Sequence, residues 1–348
     1  FGITRLKASY EGVPLREDTT KEKHLATPKV VQQPGACVRP TKSKLRMKKL
    51  LYLCLPLVSF VLLASCIKEN YDDCERCELT FSYTGDVSYD IFQQQITRVS
   101  LYVFDADDRL VQTKRIEQNE LRAFQGTKLN LSPGNYRVVG VGNVFDKTVV
   151  ENTSANDMSQ IIFRHPNAGK GVVEGNDSLY LGSKMITIPA DYWYKDDVPF
   201  RSSHLKVSYT VKGYVDAADA QSTRAESLLT LRVKNLLPQT DFNNRAHGEK
   251  MTYNPDLTLN PSNAEHKGYF NIMRHAADSD VEFELVDKAS GEVVHTLMLK
   301  DFLEKFPQID VTKQEVLIPI VVEFKNIGVT VTIPDWMIHD VTPDYGNN

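Results

Sequence analysis

The sequence predicts an all-β protein made of two antiparallel β-sandwich domains. Three observations predict it: apolar and polar residues alternate along most of the chain from residue 79 onward, helical patterns are scarce, and turn-forming residues separate the strands. The clearest strand is Leu205–Val211, where every second residue is apolar. With 41% hydrophobic residues the chain can bury a core, so the composition excludes a disordered protein.

The other elements follow in chain order. Further strands are predicted at Val99–Phe104, Tyr136–Val139, Val281–Leu285 and Ile327–Ile333. Turn residues at Asp105–Asp108 and Lys288–Gly291 predict hairpins. Helices are predicted only at Leu299–Phe306, which Pro307 ends, and over a turn or two at Met158–Phe163. The segment Pro189–Pro199 breaks the strand pattern, so we expect residues 78–190 and 198–348 to form the two domains.

The charge is distributed unevenly. The chain has 41 Lys and Arg against 45 Asp and Glu, and this net charge of −4 disfavours a nucleic-acid-binding protein. Residues 1–65 hold 12 of the basic residues and 4 of the acidic ones, which leaves a net charge of −12 for residues 66–348. Because the first methionine is Met47, we interpret residues 1–46 as an over-extended gene start. A basic arm that binds nucleic acid is the alternative.

Residues 47–65 have the features of a secretion signal. Lys48 and Lys49 precede an apolar run, Leu50–Ala64, which is shorter than the ~20 residues of a membrane span. The run ends in the sequence LASC, which matches a bacterial lipobox. We expect cleavage between Ser65 and Cys66, with diacylglycerol on the Cys66 thiol. A plain secretory signal with an incidental cysteine is the alternative.

An acidic tether, residues 66–77, follows the expected cleavage site. It resembles the surface-export tether of Bacteroidetes lipoproteins, although a generic solvated linker fits equally well. Two or more acyl chains give a stable membrane anchor, whereas one binds reversibly. Cys74 and Cys77 have the C-x-x-C spacing of a local disulfide, and two free thiols are the alternative.

Motifs for catalysis are lacking. The chain has no HExxH, Walker or GxSxG motif, so we expect no enzyme, no cofactor and no metal site. Asp105, Asp107 and Asp108 lack the glycine and distal glutamate of an EF-hand and are better explained as a hairpin turn. The tripeptide around Ser178, Asp-Ser-Leu, matches an O-glycosylation signal of Bacteroidetes envelope proteins.

Several segments together resemble one family. Behind the lipobox and the tether come ITRVSLYVFDADDRLV, LSPGNYRVVGVGN, VPFRSSHLKVSYTVKG and VTVTIPDWMIHDV, in that order. The order is similar to that of the FimB/Mfa-type fimbrial anchor subunits, which are fimbrillin-associated lipoproteins of Bacteroidetes. The resemblance covers nearly all of residues 62–340.

The resemblance implies two transthyretin-like β-sandwich domains in a non-enzymatic fimbrial (pilus) subunit. Such a subunit is lipid-anchored in the outer membrane through Cys66, exposed at the cell surface, anchors the fimbria and influences its assembly or length. Its partners are shaft or accessory subunits, joined by β-strand addition. The best candidate for a donated strand is the run with Ile327, Val329, Val331 and Ile333, which otherwise is an ordinary internal strand.

A second function would fit a lipidated β-sandwich protein. Surface glycan-binding lipoproteins of nutrient-uptake systems place exposed aromatic side chains on a binding face. The one dense aromatic cluster in this sequence is Tyr192-Trp193-Tyr194.

Overall fold

Strands dominate the described part of the chain. The computed structural model describes residues 76–154, 157–214 and 227–338. Over these residues it has twenty strands in four sheets, four short α-helices and one 3-10 helix. This confirms the predicted all-β fold.

The N-terminal half forms a seven-stranded sheet. Its strands are β1 (Cys77–Ser82), β2 (Val99–Phe104), β3 (Leu110–Ile116), β4 (Gly126–Leu129), β5 (Gly134–Gly142), β8 (Tyr180–Ile188) and β9 (Tyr194–Ser202). They lie in the order β3-β2-β5-β8-β9-β1-β4. All neighbours are antiparallel except β1 and β9, which run parallel. The β2–β3 pair is the hairpin predicted at Asp105–Asp108.

Three smaller sheets complete the fold. The five-stranded sheet comprises β10 (His204–Lys212), β15 (Thr258–Asn260), β16 (Glu265–Met273), β19 (Leu317–Lys325) and β20 (Gly328–Thr332). Its strands lie in the order β15-β16-β10-β19-β20. A four-stranded sheet has the order β14-β11-β17-β18 and comprises β11 (Leu229–Leu236), β14 (Met251–Tyr253), β17 (Glu282–Asp287) and β18 (Val293–Met298). The other four-stranded sheet comprises β6 (Val149–Glu151), β7 (Ile162–Arg164), β12 (Gln239–Asp241) and β13 (Ala246–His247), in the order β13-β12-β7-β6. All of its neighbouring strands are antiparallel, and we call it the mixed sheet only because of the origin of its strands. The mixed sheet therefore joins strands from both halves of the chain.

The helices are short and peripheral to the sheets. They are α1 (Phe92–Gln95), α2 (Gln118–Ala123), α3 (Leu299–Lys305), α4 (Asp335–Ile338) and the 3-10 helix Met158–Gln160. Helix α3 confirms the prediction at Leu299–Phe306, and it buries Leu299, Phe302 and Leu303. None of the described helices has the length and apolar character needed to cross a membrane.

Strand β9 occupies most of the segment Pro189–Pro199, where the sequence suggests a junction between domains. The strand pairs with β8 and β1, and the chain leaves the seven-stranded sheet only after Ser202. The strand pattern is hidden there because Lys195 and Asp196 are charged. Each charge is matched on a neighbouring strand, Lys195 by Glu78 at 2.8 Å and Asp196 by Lys184.

Three clusters of buried apolar side chains hold the sheets together. One lies on the inner face of the seven-stranded sheet, and a second lies between the five-stranded sheet and the β11-containing sheet. The third lies under the mixed sheet, where the Phe242 ring is 5.4 Å from Tyr102, 5.5 Å from Phe104 and 5.1 Å from Phe163, between centroids. Because Phe242 follows β12, this third cluster packs the C-terminal half against the N-terminal sheet.

Two glycines make room for a ring in the core. Gly140 on β5 pairs with Gly182 on β8, which pairs with Phe200 on β9. A Cβ atom on Gly140 would lie 2.6 Å from the Phe200 ring, and one on Gly182 would lie 2.9 Å from it. Gly140, in the sequence Gly140-Val141-Gly142, therefore allows the Phe200 ring to pack against β5.

Strand directions define two ends of the molecule. Strands β1 and β9 both begin beside residue 76 and run in parallel toward the five-stranded sheet. Strands β10 and β19 begin where β9 ends, and they also run in parallel. The turn between β19 and β20 therefore lies at the end of the five-stranded sheet that is remote from the N-terminal sheet.

Candidate functional site

A network of polar side chains joins the two halves of the fold. Glu315, just before β19, accepts hydrogen bonds from the hydroxyl groups of Tyr83 at 2.5 Å and Tyr180 at 3.0 Å. Its other carboxylate oxygen pairs with the ammonium group of Lys206 on β10. We call Tyr83, Tyr180, Lys206 and Glu315 the polar joint.

Hydrogen bonds between side chains and backbone groups fix the loop that carries Glu315. The Asp86 carboxylate accepts the amide hydrogens of Gln314 at 2.9 Å and Glu315 at 2.8 Å. The side-chain carbonyl of Gln314 in turn accepts the amide hydrogen of Ser202 at 2.9 Å. The half-buried Arg274 donates to the carbonyl oxygens of Val311 and Gln314 at 2.6 and 3.1 Å. The loop is thus held from both halves, and the polar joint has little freedom to open.

Charge at the polar joint is matched in spite of burial. Burial by itself would raise the pKa of Glu315, but the hydrogen bonds from Lys206 and Tyr83 outweigh it and hold this pKa below its usual range. Burial, together with the Glu315 charge, raises the pKa of Tyr83. Glu315 is therefore the anion of the network and the tyrosines are donors, an arrangement suited to a rigid connection.

Strand β20 forms an open edge of the five-stranded sheet. It pairs with β19 over five register positions, and among the described residues its other side has no strand partner. Val331 and Ile333 face the core, whereas Val329 is exposed and Ile327 in the turn is 98% exposed. A strand is present at Gly328–Thr332, as predicted, but its burial does not alternate: of the four apolar residues in this run only Val331 and Ile333 pack against the core, and Ile327 lies outside the strand.

Hydrogen bonding shows which backbone groups of β20 are available. Strands β19 and β20 are joined by a two-residue turn, so the closing pair Lys325 and Gly328 is hydrogen-bonded. The amide and carbonyl groups of Val329 and Val331 then point away from β19. In agreement, the Lys305 ammonium group donates to the Val331 carbonyl from the open side at 2.9 Å. A single lysine thus covers part of this edge, a common way of restraining strand pairing.

Two further open edges belong to the seven-stranded sheet and are formed by its outer strands, β3 and β4. A groove of about 550 Å³ lies between β3 and β4 and is lined by Glu78, Lys114, Ile116, Phe124 and Lys128. The Lys114 ammonium group crosses it to the Lys128 carbonyl at 3.0 Å. The groove is shallow and charged, so we regard β20 as the better site for adding a strand.

Three of the predicted site residues lie outside the described part of the chain: Ser65, Cys66 and Cys74. The cysteine that is described, Cys77, is fully buried as the first residue of β1, and it forms no disulfide with another described residue. Burial raises the pKa of its thiol to about 12. The side chain packs in the core of the seven-stranded sheet.

Ser178 is largely enclosed by the fold. The side-chain amide of Asn143 donates to its hydroxyl oxygen at 3.4 Å and to its carbonyl oxygen at 3.2 Å. Its neighbours Asp177 and Leu179 are buried. A sugar at Ser178 would therefore have to be added before the chain folds.

The aspartates of the β2–β3 turn are used within the turn. Asp105 accepts the amide hydrogens of Asp107 at 2.9 Å and Arg109 at 3.0 Å, and its carboxylate pairs with the Arg109 guanidinium group at 2.8 Å. More widely, the described residues hold no group of three or more His, Cys, Asp or Glu side chains placed to bind a metal ion.

Sequence reasoning missed the polar joint. Glu315 and Tyr83 are 232 residues apart, and nothing local marks either as part of a network. The nearest signal is Lys206, a cation on the polar face of a strand whose other polar residues are uncharged until Lys212.

Solved structures share this fold. A candidate polysaccharide-binding protein from Bacteroides thetaiotaomicron is 14% identical with a TM-score of 0.60, and the match covers 75% of this chain and 96% of that one. A candidate adhesin from Bacteroides ovatus is 20% identical with a TM-score of 0.60, over 75% and 94% of the two chains. The fimbrial anchor protein Mfa2 from Porphyromonas gingivalis is 13% identical with a TM-score of 0.55, over 74% and 94%. At these identities the matches establish a common fold.

Sequence comparison identifies the family. No curated protein matches the chain. The model of the fimbrillin-A associated anchor proteins Mfa1 and Mfa2 matches residues 71–342, which is well over half of the chain. This confirms the resemblance found in the sequence and places the chain in a family of fimbria-associated proteins of the cell envelope. The chain therefore belongs to the family of fimbrillin-A associated anchor proteins.

Proposed function

We propose that this protein anchors a fimbria to the outer membrane of the cell. Acyl chains on Cys66 hold it in the membrane, the tether spaces the β-fold from the bilayer, and the fold binds a fimbrial neighbour. Support for the lipid comes from the lipobox and from the stability that two or more acyl chains give. Family membership supports the fimbrial partner.

The observation that carries the proposal is the separation of two ends. The tether enters the fold at the beginning of β1, beside the beginning of β9. The open edge of β20 and the exposed Ile327 belong to the other sheet, whose remote end is formed by the β19–β20 turn. A chain held at one end and open to strand pairing at the other can connect a membrane to a fibre.

We infer that the neighbour binds by adding a strand to β20. Donation of this run to another subunit would first require it to leave β19, with which it pairs over five register positions. Pairing along its open edge leaves the hairpin intact. The outward amide and carbonyl groups of Val329 supply main-chain hydrogen bonds, and Ile327 supplies an apolar contact. Such a subunit closes one end of the fibre and so influences its length.

Removal of one backbone amide tests the strand addition. Val329→Pro lacks the outward N–H group, and the hydrogen bonds between β19 and β20 do not use that group. We expect it to abolish cross-linking to the fimbrial neighbour on intact cells while the protein stays in the membrane fraction. The matched control is Val329→Thr, which keeps the amide and should cross-link as the wild type does. Normal cross-linking of Val329→Pro would contradict pairing at β20.

A further inference from the structure

Two adjacent aromatic side chains are exposed at the tether end of the fold. Tyr192 and Trp193, in the loop between β8 and β9, are 75% and 49% exposed. Tryptophan in particular exposes a large apolar area in this position, and aromatic rings with one polar group are suited to a boundary between water and an apolar phase.

Hydrogen bonds connect this loop to the end of the tether. The amide of Tyr194, the residue after Trp193, donates to the carbonyl of Arg76 at 2.9 Å. The Arg76 guanidinium group donates to the carbonyl of Ala190 at 3.5 Å. Arg76 therefore contacts the loop both before and after the aromatic pair. The tether thus joins the fold at the place where the two aromatic side chains are exposed.

The tether is short enough to keep this loop close to the bilayer. Ten residues, 67–76, separate Cys66 from β1. Fully extended they span at most about 35 Å, and as a flexible coil they span roughly 18 Å. Because a tether of this length gives a high effective concentration, even a weak interaction of the loop with the membrane would be occupied most of the time.

We propose that Tyr192 and Trp193 insert into the headgroup region of the bilayer that holds Cys66, and so set the orientation of the fold on the membrane. Trp and Tyr concentrate at this depth in membrane proteins because the ring is partly apolar and its N–H or O–H group can reach water. The neighbouring Asp191 is exposed and stays on the water side. The inference rests on the lipid anchor proposed above. With two points of attachment, the strands β1 and β9 point away from the membrane, and β20 is presented to the fibre.

The chain allows a direct fluorescence test because it has two tryptophans, Trp193 and Trp336. The Trp336→Phe variant of the acylated protein reports on Trp193, and the matched Trp193→Phe variant reports on Trp336 in α4. Each is reconstituted on phosphatidylethanolamine–phosphatidylglycerol vesicles whose acyl chains carry bromine near the headgroup. We expect the emission of Trp193 to shift to shorter wavelength and to be quenched, and that of Trp336, also exposed, to stay unchanged.

Flotation of the same vesicles separates this inference from the lipid anchor. Protein that floats with the vesicles but has an unquenched, unshifted Trp193 would overturn the insertion of the aromatic pair and leave the anchor intact. Protein that does not float would overturn both. A Trp193 emission that responds to soluble polysaccharide and not to the vesicles would also overturn the inference, in favour of a carbohydrate-binding loop.

Discussion

The phenol group of Tyr83 donates a 2.5 Å hydrogen bond to the carboxylate of Glu315, and this contact connects the end of the first strand to the beginning of the last long one. The two residues are 232 positions apart, so the contact forms only when both halves of the chain have folded. Lys206 balances the charge of Glu315. The contact therefore connects the seven-stranded sheet, which contains β1, with the five-stranded sheet, which carries β20.

Loss of the Glu315 charge should weaken the connection between the halves. Glu315→Gln leaves the Lys206 ammonium group without a counter-charge at a partly buried site, so we expect a loss of about 1–3 kcal/mol in the free energy of unfolding, measured with urea. The control is Glu323→Gln, because Glu323 forms an exposed ion pair with Lys325 at 2.9 Å, and its loss should cost less than about 0.5 kcal/mol. Equal effects would contradict a special role for the polar joint.

Filling the space beside Phe200 should destabilise the core. Gly140→Ala places a Cβ atom 2.6 Å from the ring, and overpacking of this kind costs about 1–3 kcal/mol. Gly171→Ala is the control, since a Cβ atom there would meet nothing within 4 Å. Adding Phe200→Leu should recover part of the loss in a double-mutant cycle. If the stability losses of the two changes simply add, contact with the Phe200 ring is not the reason for a glycine at position 140.

Stability should fall as the pH drops from about 6.5 to about 4. Burial lowers the pKa of His204 and of His275 from 6.5 to about 4 in the folded state. Between these values the unfolded chain binds protons that the folded chain does not, so the free energy of unfolding decreases with falling pH, by on the order of 3 kcal/mol for each histidine. Urea titrations across this range measure the slope. The variant with both His204→Gln and His275→Gln should have a flatter slope, and an unchanged slope would contradict the assignment.

The two halves should unfold as one unit. The mixed sheet pairs β7 with β12, and Phe242 packs on Phe163, Tyr102 and Phe104 across the halves. Phe242→Ala should cost about 3–5 kcal/mol and lower the hydrogen-exchange protection of β2 and β5, which belong to the other half. A fragment that ends at Ser203 should not fold alone. Retained protection of β2 and β5 in Phe242→Ala would show that the halves are independent.

The sequence predicts strands well where a local pattern specifies them. β2 coincides with the predicted Val99–Phe104, and β10 exceeds the predicted Leu205–Val211 by one residue at each end. Strand β9 was hidden because its charges are neutralised by side chains on other strands, and the chain itself does not record which strands become neighbours. The pairing of β7 with β12 and the contact of Tyr83 with Glu315 depend on tertiary structure in the same way. The open edge of β20 could be predicted as a strand, but its position in the sheet could not.

Cell fractionation of a Cys66→Ala strain tests the central claim most directly. The amount of the protein and of fimbriae is measured on cells and in the culture medium, beside the wild type and a Cys54→Ala control that changes a cysteine of the apolar run. We predict that Cys66→Ala moves both the protein and the fimbriae into the medium, while the control resembles the wild type. If the fimbriae of the Cys66→Ala strain stay on the cells as in the wild type, this protein does not anchor them through a lipid on Cys66.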